Sequence, residues 1–175
     1  MDIRVQKTKG NIYDAFMEIR SKKPLEKITV KELCEAAKIN KSTFYVYYKD
    51  LYDLSDKIEN EIVTSVVKNL GSTKDIIDDS ANFSMMLCNA YASQQNMIAT
   101  VFSGIRMEQL PRKIEATIKE AFFEVYPQYR DDVDINMKLT YCIYGGYYAF
   151  NAYRTHGEKA VVELIGSMSA KIFDK

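Results

Sequence analysis

Nine consecutive residues, 41–49 (KSTFYVYYK), combine amino, hydroxyl and aromatic side chains. Side chains of these types bond phosphates and base edges, which is the chemistry of DNA recognition. The surrounding segment, 28–48, predicts two short helices joined by a tight turn, and the second helix would present a polar and aromatic face. A helix of this kind can enter the major groove of DNA. The pattern therefore favours a helix-turn-helix that reads DNA.

The first of these two helices is predicted from a capping pattern. Thr29 is a favourable N-cap residue, and Glu32 at the third helical position would complete a capping box. Val30, Leu33 and Ala37 then fall on the inward face of this helix.

The second helix follows a break in the apolar periodicity. Asn40 is its N-cap candidate, and the helix is predicted over residues 41–47. Phe44 and Tyr48 then share one face. We expect that face to be buried against the first helix of the chain.

The turn and its flanks resemble the tetracycline-repressor (TetR) family of bacterial transcription regulators. The resemblance is close over about residues 8–58 and extends elsewhere only to length and helical character. The matching residues are Thr29, Val30, Ala36, Ala37, Ile39, Asn40, Lys41, Ser42, Thr43, Phe44, Tyr45, Tyr47, Tyr48 and Leu54. Lys38 replaces the small residue usual in the turn, so a positive φ there would be strained. Leu51 replaces a lysine usual at the start of the next helix, and Lys49 would partly substitute for it.

The resemblance implies an all-α protein with two parts. Residues 1–50 would form a three-helix bundle containing the helix-turn-helix, and residues 51–175 would form a helical domain for effector binding and dimerisation. A homodimer would bind a palindromic operator of double-stranded DNA, because one short recognition helix makes too few base contacts. A small, mainly hydrophobic or aromatic effector would release the DNA, which implies a repressor.

The DNA contacts of the family fall on definite residues of this chain. Lys41 and Ser42, at the start of the second helix, would face base edges, and Lys41 would donate to guanine O6 or N7. The residues expected to bond phosphates are Thr29, Thr43, Tyr45, Tyr47 and Lys49. A place in the hydrophobic core is the alternative for the two tyrosines.

The distribution of charge supports this division of the chain. The net charge is zero, but residues 1–49 hold 11 Lys/Arg and 6 Asp/Glu, a net of +5. The remaining 126 residues hold 13 basic and 18 acidic residues, a net of −5. The positive field therefore lies on the part with the helix-turn-helix, where phosphates would be met. Chance clustering is the alternative explanation.

Composition narrows the class of protein further. With 47% hydrophobic residues, the 175-residue chain can bury a sizeable core. No apolar run approaches the roughly 18 residues of a membrane span, and the first ten residues lack an apolar signal core. Cys34, Cys88 and Cys142 lie far apart inside apolar patterns, which predicts buried, reduced thiols in a cytoplasmic protein.

Apolar periodicity predicts helices along the whole chain, and no strand-like alternation competes with them. The first helix is predicted over 4–21, with a buried face of Ile12, Ala15, Phe16 and Ile19. A fourth is predicted over 51–70, ending at Gly71 and Ser72, with an apolar seam of Leu54, Ile58, Ile62 and Val66. Five more helices are predicted over 80–95, 95–102, 110–125, 133–155 and 158–173.

The last two predicted helices are the expected dimer surface, as the resemblance also implies. Each carries a narrow apolar stripe. The stripe residues are Ile143, Gly146, Tyr147 and Phe150 on one helix and Val161, Ile165, Met168 and Ile172 on the other. The pair Gly145 and Gly146 suggests a close helix crossing, either in the dimer or within the chain.

A large stock of aromatic residues and methionines in the second part suggests an effector pocket. Tyrosine hydroxyls would orient a mainly hydrophobic or aromatic ligand, and methionines would adapt to its shape. The candidate lining residues are Met86, Phe102, Phe122, Met137, Tyr141, Tyr144 and Tyr148. An ordinary hydrophobic core is the alternative for such residues.

Two other classes of function are alternatives to DNA binding. An enzyme is not expected, because the chain has one histidine, His156, and no Gly-rich phosphate loop or nucleophile elbow. Neither a cofactor nor a metal is expected, since the cysteines stand alone and the acidic residues of 131–134 lack the pattern of a calcium loop. A coactivator or protein-interaction adaptor, keeping the fold without its own small-molecule effector, is the remaining alternative.

Overall fold

The computed structural model describes residues 3–68, 70 and 75–174, with only the backbone of Asp75. These residues are 86% helical and contain no strand, which confirms the all-α prediction. The α-helices within them are α1 (Ile3–Arg20), α2 (Val30–Ala36), α3 (Lys41–Tyr47), α4 (Leu51–Lys68), α5 (Asp75–Asp78), α6 (Ser80–Ser93), α7 (Gln95–Val101), α8 (Leu110–Val125), α9 (Val133–Tyr153) and α10 (Glu158–Phe173). Short 3-10 helices lie at Leu25–Lys27, Gly104–Gln109, Pro127–Tyr129 and Arg154–His156.

The observed helices follow the predicted ones closely. The bounds of α3, α8 and α10 agree with the predicted bounds, and those of α1, α6, α7 and α9 differ by at most two residues. The short helix α5 was not predicted. Helix α4 ends at Lys68, and the predicted stop at Gly71 and Ser72 lies outside the described residues. No helix among the described residues is long and apolar enough to cross a membrane.

The chain divides into two compact units. The first lies within Met1–Ile62 and Asn96–Met107, and the second within Val63–Gln95 and Glu108–Lys175. The sequence predicts a boundary after residue 50. The first unit of the structure extends further and includes most of α4 and the later segment Asn96–Met107. A contact between that segment and α4 is the physical reason for this assignment.

The contact is a buried ion pair within the first unit. Glu59 on α4 is fully buried, and its carboxylate accepts hydrogen bonds from Arg106 Nε and, at 2.8 Å, from Arg106 Nη2. Ser55, one turn earlier on α4, donates to the same carboxylate at 2.9 Å. Hydrogen bonding to Glu59 is the largest cause of a raised pKa at Arg106, so its guanidinium stays charged.

A second buried arginine attaches α1 to the same segment. Arg20 is the last residue of α1 and is 3% exposed. Its guanidinium donates to the carbonyl oxygen of Val101 at 2.9 Å, to Ser103 Oγ at 2.7 Å and to the carbonyl oxygen of Lys23 at 3.0 Å. The bond to Val101 satisfies a carbonyl group at the C-terminal end of α7, which the helix itself leaves unpaired.

The remaining core of the first unit follows the predicted apolar pattern. The α1 residues Ile12, Ala15, Phe16 and Ile19 are buried, as are the α4 residues Leu54, Ile58 and Ile62. Helix α1 packs on α2, and α2 packs on α3. The predicted inward residues Leu33 and Ala37 are buried as well.

In the second unit, α10 packs against α6 and α9, and α8 packs against α9. A close approach occurs at Gly166 on α10, where an added Cβ would lie 2.7 Å from Met85 Cγ and 3.0 Å from the carbonyl oxygen of Ala81. The sequence had placed a close crossing at Gly145 and Gly146. A Cβ at Gly145 would meet no atom within 4 Å, and one at Gly146 would make ordinary contact with Ile165 at 3.5 Å.

The cysteines of the described chain are free thiols, with Cys34 and Cys88 buried and Cys142 half-buried. Burial raises the pKa of the Cys88 thiol to about 11. That thiol is therefore protonated at neutral pH, as a small hydrophobic core residue would be.

Removing one member of the buried ion pair should be costly. Glu59→Ala leaves the Arg106 guanidinium buried without its carboxylate, which we expect to lower the free energy of unfolding by about 3–5 kcal/mol. Glu61→Ala is the matched control, because Glu61 lies exposed on the same helix and should cost within about 0.5 kcal/mol. Urea unfolding of the two variants measures the difference, and equal losses would contradict this account of the ion pair.

Candidate functional site

The N-terminus of α2 is capped by Thr29, as its sequence predicts. Thr29 Oγ1 accepts a hydrogen bond from the backbone N–H of Glu32 at 3.2 Å. The Glu32 carboxylate does not complete a capping box; it accepts a bond from Lys23 Nζ at 2.6 Å. Thr29 itself remains exposed.

The turn after α2 is a Schellman motif with an unusual residue at its centre. The N–H of Ile39 bonds the carbonyl oxygen of Cys34 at 3.0 Å, and the N–H of Lys38 bonds that of Glu35 at 3.3 Å. Lys38 has a φ of 56°, the left-handed region that such a motif requires and that glycine usually fills. The turn therefore places Lys38 in the conformation that is strained for a residue with a side chain. A non-glycine residue in this conformation costs roughly 1–2 kcal/mol.

Asn40 is the N-cap of α3, and its side-chain oxygen accepts three hydrogen bonds. Its Oδ1 accepts from the backbone N–H of Thr43, from Thr43 Oγ1 and from Ser42 Oγ, each at 2.7 Å. The cap thus satisfies an otherwise unpaired amide and orients two hydroxyl groups. Because the Ser42 and Thr43 protons point at Asn40, both hydroxyl oxygens are left free to accept hydrogen bonds.

Phe44 determines which face of α3 is buried. Its side chain is fully buried, and its ring lies 5.4 Å from the ring of Tyr45 and 5.6 Å from that of Tyr48. Tyr45 and Val46 follow on the opposite side and are 56% and 74% exposed. With this one aromatic side chain in the core, Lys41, Ser42, Tyr45 and Val46 are exposed to solvent.

The residues predicted to contact DNA lie on or next to this outward side. Lys41, Ser42, Tyr45, Lys49 and Thr29 are exposed, and Thr43 and Tyr47 are half-buried. The exposure of Tyr45 excludes the alternative that it is a core residue. Lys9 Nζ of α1 lies 5.9 Å from the centre of the Tyr47 ring, which partly covers that ring with a cation.

The junction between α3 and α4 is fixed by two carboxylates. Asp50 caps α4 by accepting from the N–H of Asp53 at 2.8 Å, and Asp53 accepts from the N–H of Lys49 at 2.9 Å. Lys57 donates to Asp53 at 2.9 Å and to the carbonyl oxygen of Tyr47 at 3.1 Å. The bond from Lys49, followed by that from Lys57, lowers the pKa of the Asp53 carboxyl group. The next residue after the cap, Leu51, is buried.

A second candidate site is a small cavity inside the second unit. Its volume is about 40 Å³. The lining residues are uncharged, namely Ile76, Ser80, Phe83, Ser84, Leu87, Cys88, Tyr91, Ile114, Leu139, Cys142, Ile143, Gly146, Tyr147, Phe150, Ile165 and Phe173. Burial, together with the neighbouring Tyr91 and Tyr148, raises the pKa of the Tyr147 hydroxyl to about 12. Tyr91 donates to Asn151 Oδ1 at 2.9 Å.

The residues predicted to line an effector pocket lie elsewhere. Phe122 and Phe102 are fully buried, and Phe102 belongs to the first unit. Met137, Tyr141 and Tyr148 are 67%, 69% and 57% exposed, and Met86 and Tyr144 are half-buried. These residues are absent from the lining of the cavity.

Several residues predicted for the dimer surface line that cavity instead. They are Ile143, Gly146, Tyr147 and Phe150 of α9 and Ile165 of α10. Of the other three on α10, Met168 is 53% exposed, and Val161 and Ile172 are half-buried. The face of α9 predicted for the dimer is thus largely buried, and the face predicted to line a pocket is largely exposed. Both faces carry apolar and tyrosine side chains at helical spacing, so periodicity alone could not distinguish inside from outside.

The outward face of the last two helices is rich in large apolar side chains. The exposed ones are Val133, Met137, Tyr141 and Tyr148 on α9 and Leu164 and Met168 on α10. Tyr153 is also exposed, but it lies about 200° around α9 from Val133 and therefore on another face. An open depression of about 750 Å³ is lined by Met137, Tyr141 and Ile172 together with charged residues that include Lys119, Arg130 and Asp134. Large apolar side chains exposed at helical spacing, with charged residues around them, are typical of an interaction surface.

Comparison of the chain with known protein families, with curated proteins and with solved structures gave no match. Among the described residues, no group of three or more His, Cys, Asp or Glu side chains is arranged to hold a metal ion.

The Asn40 cap gives a direct test of how α3 is held. Asn40→Ala removes the acceptor of three hydrogen bonds and should lower the free energy of unfolding by about 0.5–2 kcal/mol. Asn40→Asp keeps an acceptor at the same position and favours a helix N-terminus, so it should lose far less. Urea unfolding midpoints measure both variants. If Asn40→Asp and Asn40→Ala lose the same free energy of unfolding, the side-chain acceptor at position 40 does not stabilise the helix.

Proposed function

We propose that the protein is a transcriptional regulator of the TetR type, which binds a palindromic DNA operator as a homodimer. The α2–turn–α3 segment is then a helix-turn-helix, and α3 is the helix that enters the major groove. A small, uncharged, mainly apolar effector would weaken operator binding, so the protein would act as a repressor.

The observation that supports this proposal most strongly is the composition of the exposed side of α3. Lys41, Ser42 and Tyr45 are exposed there, and Lys49 is exposed just after the helix, while Phe44 is the residue of α3 that is buried in the core. Lys41 is in the first turn, where a recognition helix reads base edges. Bases present both donors and acceptors in the major groove. Lys41 supplies donors, and the free Ser42 oxygen supplies an acceptor that suits the amino groups of adenine or cytosine.

Charge supports the same choice of surface. The first 49 residues carry a net charge of +5 and the remainder a net charge of −5. A positive region of this kind attracts phosphates and raises the rate of association with DNA.

The proposed homodimer would use the exposed apolar face of α9 and α10. Met137, Tyr141 and Tyr148 on α9 and Leu164 and Met168 on α10 are each more than half exposed. This assignment replaces Ile143, Phe150 and Ile165, which are buried within one chain. Sedimentation should give twice the chain mass of 20.2 kDa. A mass of one chain at operator-binding concentrations would contradict the proposed dimer.

The proposed effector site is the cavity between α6, α9 and α10. Its 40 Å³ holds only a few water molecules, whereas sites for small organic ligands are roughly 300–1,000 Å³. An effector would therefore bind an expanded form of the second unit. Its uncharged lining favours a neutral, mainly apolar ligand, because a buried charge without a partner is costly.

The small cavity and Leu51 also favour a second candidate function. A TetR-type adaptor without its own effector would need no larger cavity. The buried Leu51 stands where the family has a lysine, so one phosphate contact would be missing. Such an adaptor would act through protein contacts at the exposed face of α9 and α10.

Selection from a pool of random DNA duplexes separates the two functions. A regulator should enrich one palindromic sequence, and the logarithm of its affinity should fall linearly with the logarithm of the salt concentration. Fluorescence anisotropy on the selected duplex measures this slope. If no sequence is enriched and no binding occurs at low salt, the adaptor is favoured and the regulator is rejected.

Two lysines on the same surface should give different signatures. Lys41→Ala should reduce discrimination at one base pair of each half-site by about 1–3 kcal/mol. Lys49→Ala should weaken all sequences alike and reduce the salt slope by about 0.9 for each lysine removed. Both residues are exposed, so the two variants are matched controls for each other. Equal losses on every sequence with Lys41→Ala would show that Lys41 contacts only phosphate.

A further inference from the structure

Val46 is an exposed apolar residue on the outward side of α3. Its side chain is 74% exposed, more than that of any other large apolar residue on this helix. It lies one helical turn after Ser42, so the two residues share a face. Valine is a weaker helix former than alanine, because its branched side chain loses χ1 freedom. Neither core packing nor helix propensity therefore accounts for a valine at this position.

The major groove presents one apolar group to such a side chain. Among the four bases, only thymine carries a methyl group at C5, and apolar side chains make contact with it. If the proposed function holds, Ser42 and Val46 reach the groove from the same face of α3. We infer that Val46 packs against a thymine C5 methyl group and selects thymine at one position of each half-site.

The rigidity of valine suits it for this role. A valine in a helix occupies one strongly preferred χ1 rotamer, so its two methyl groups are already ordered before DNA binds. Burying them against thymine removes apolar surface from water on both molecules. The nearby Lys41 and Ser42 bond polar base edges, and neither distinguishes thymine from uracil, which differ only in the methyl group. Discrimination between these two bases therefore reports an apolar contact with the methyl group, and its loss in Val46→Ala assigns that contact to Val46.

Deoxyuridine substitution in the selected operator tests the contact. Each thymine is replaced in turn by deoxyuridine, and the affinities of wild type and Val46→Ala are measured by fluorescence anisotropy. At one position per half-site, wild type should lose about fourfold in affinity per methyl group, corresponding to about 0.8 kcal/mol for a buried methylene-sized group. Val46→Ala should lose much less than wild type at that position and the same as wild type at the others.

Val125→Ala is the control, because Val125 is a partly exposed valine near the end of α8 in the second unit. It should show the same deoxyuridine losses as wild type. If Val46→Ala and wild type lose equally at every thymine, or if the selected half-site contains no thymine that wild type distinguishes from uracil, the inference is overturned. Failure to select any sequence with wild type overturns the proposed function instead, so the two failures are distinguishable.

Discussion

The burial of Phe44 is the constraint on which the proposed interface depends. A helix of seven residues makes about two turns, so one fixed side chain decides the direction of all the others. With Phe44 in the core, Lys41, Ser42 and Tyr45 face outward together. So short a helix is not stable alone, and tertiary packing must hold it. The Asn40 cap and the Asp50–Asp53 junction fix the two ends between which Phe44 is anchored.

Two features of this fold are energetically costly, namely the strained turn at Lys38 and the desolvation of the buried ion pair. Lys38 takes a left-handed conformation so that α2 can end and α3 can begin within four residues. Glu59 and Arg106 are desolvated, and that desolvation offsets much of their mutual attraction. The pair joins α4 to Arg106 within the first unit.

Local signals in the sequence predicted the helices and their caps, but they did not predict which side chains of the second unit are buried. The caps at Thr29 and Asn40 depend on neighbouring residues only, and both were predicted. The two faces of α9 could not be distinguished, because Ile143 and Phe150 on one face and Met137 and Tyr141 on the other have similar hydrophobicity. The Glu59–Arg106 pair joins residues 47 positions apart, and nothing in the local pattern indicates it. The composition of the chain predicted a pocket, but the volume of the cavity in the second unit depends on how its helices pack.

Hydroxyl-radical oxidation of tyrosine side chains, read by mass spectrometry, tests the central claim most directly. Tyr45 on α3 and Tyr153 on α9 are similarly exposed, at 56% and 60%, so both should be oxidised in the free protein. Saturation with the selected DNA duplex should protect Tyr45 several-fold and leave Tyr153 unchanged. Equal oxidation of Tyr45 in the free and the DNA-bound protein would contradict the account, because the outward face of α3 would then not be the surface that meets DNA.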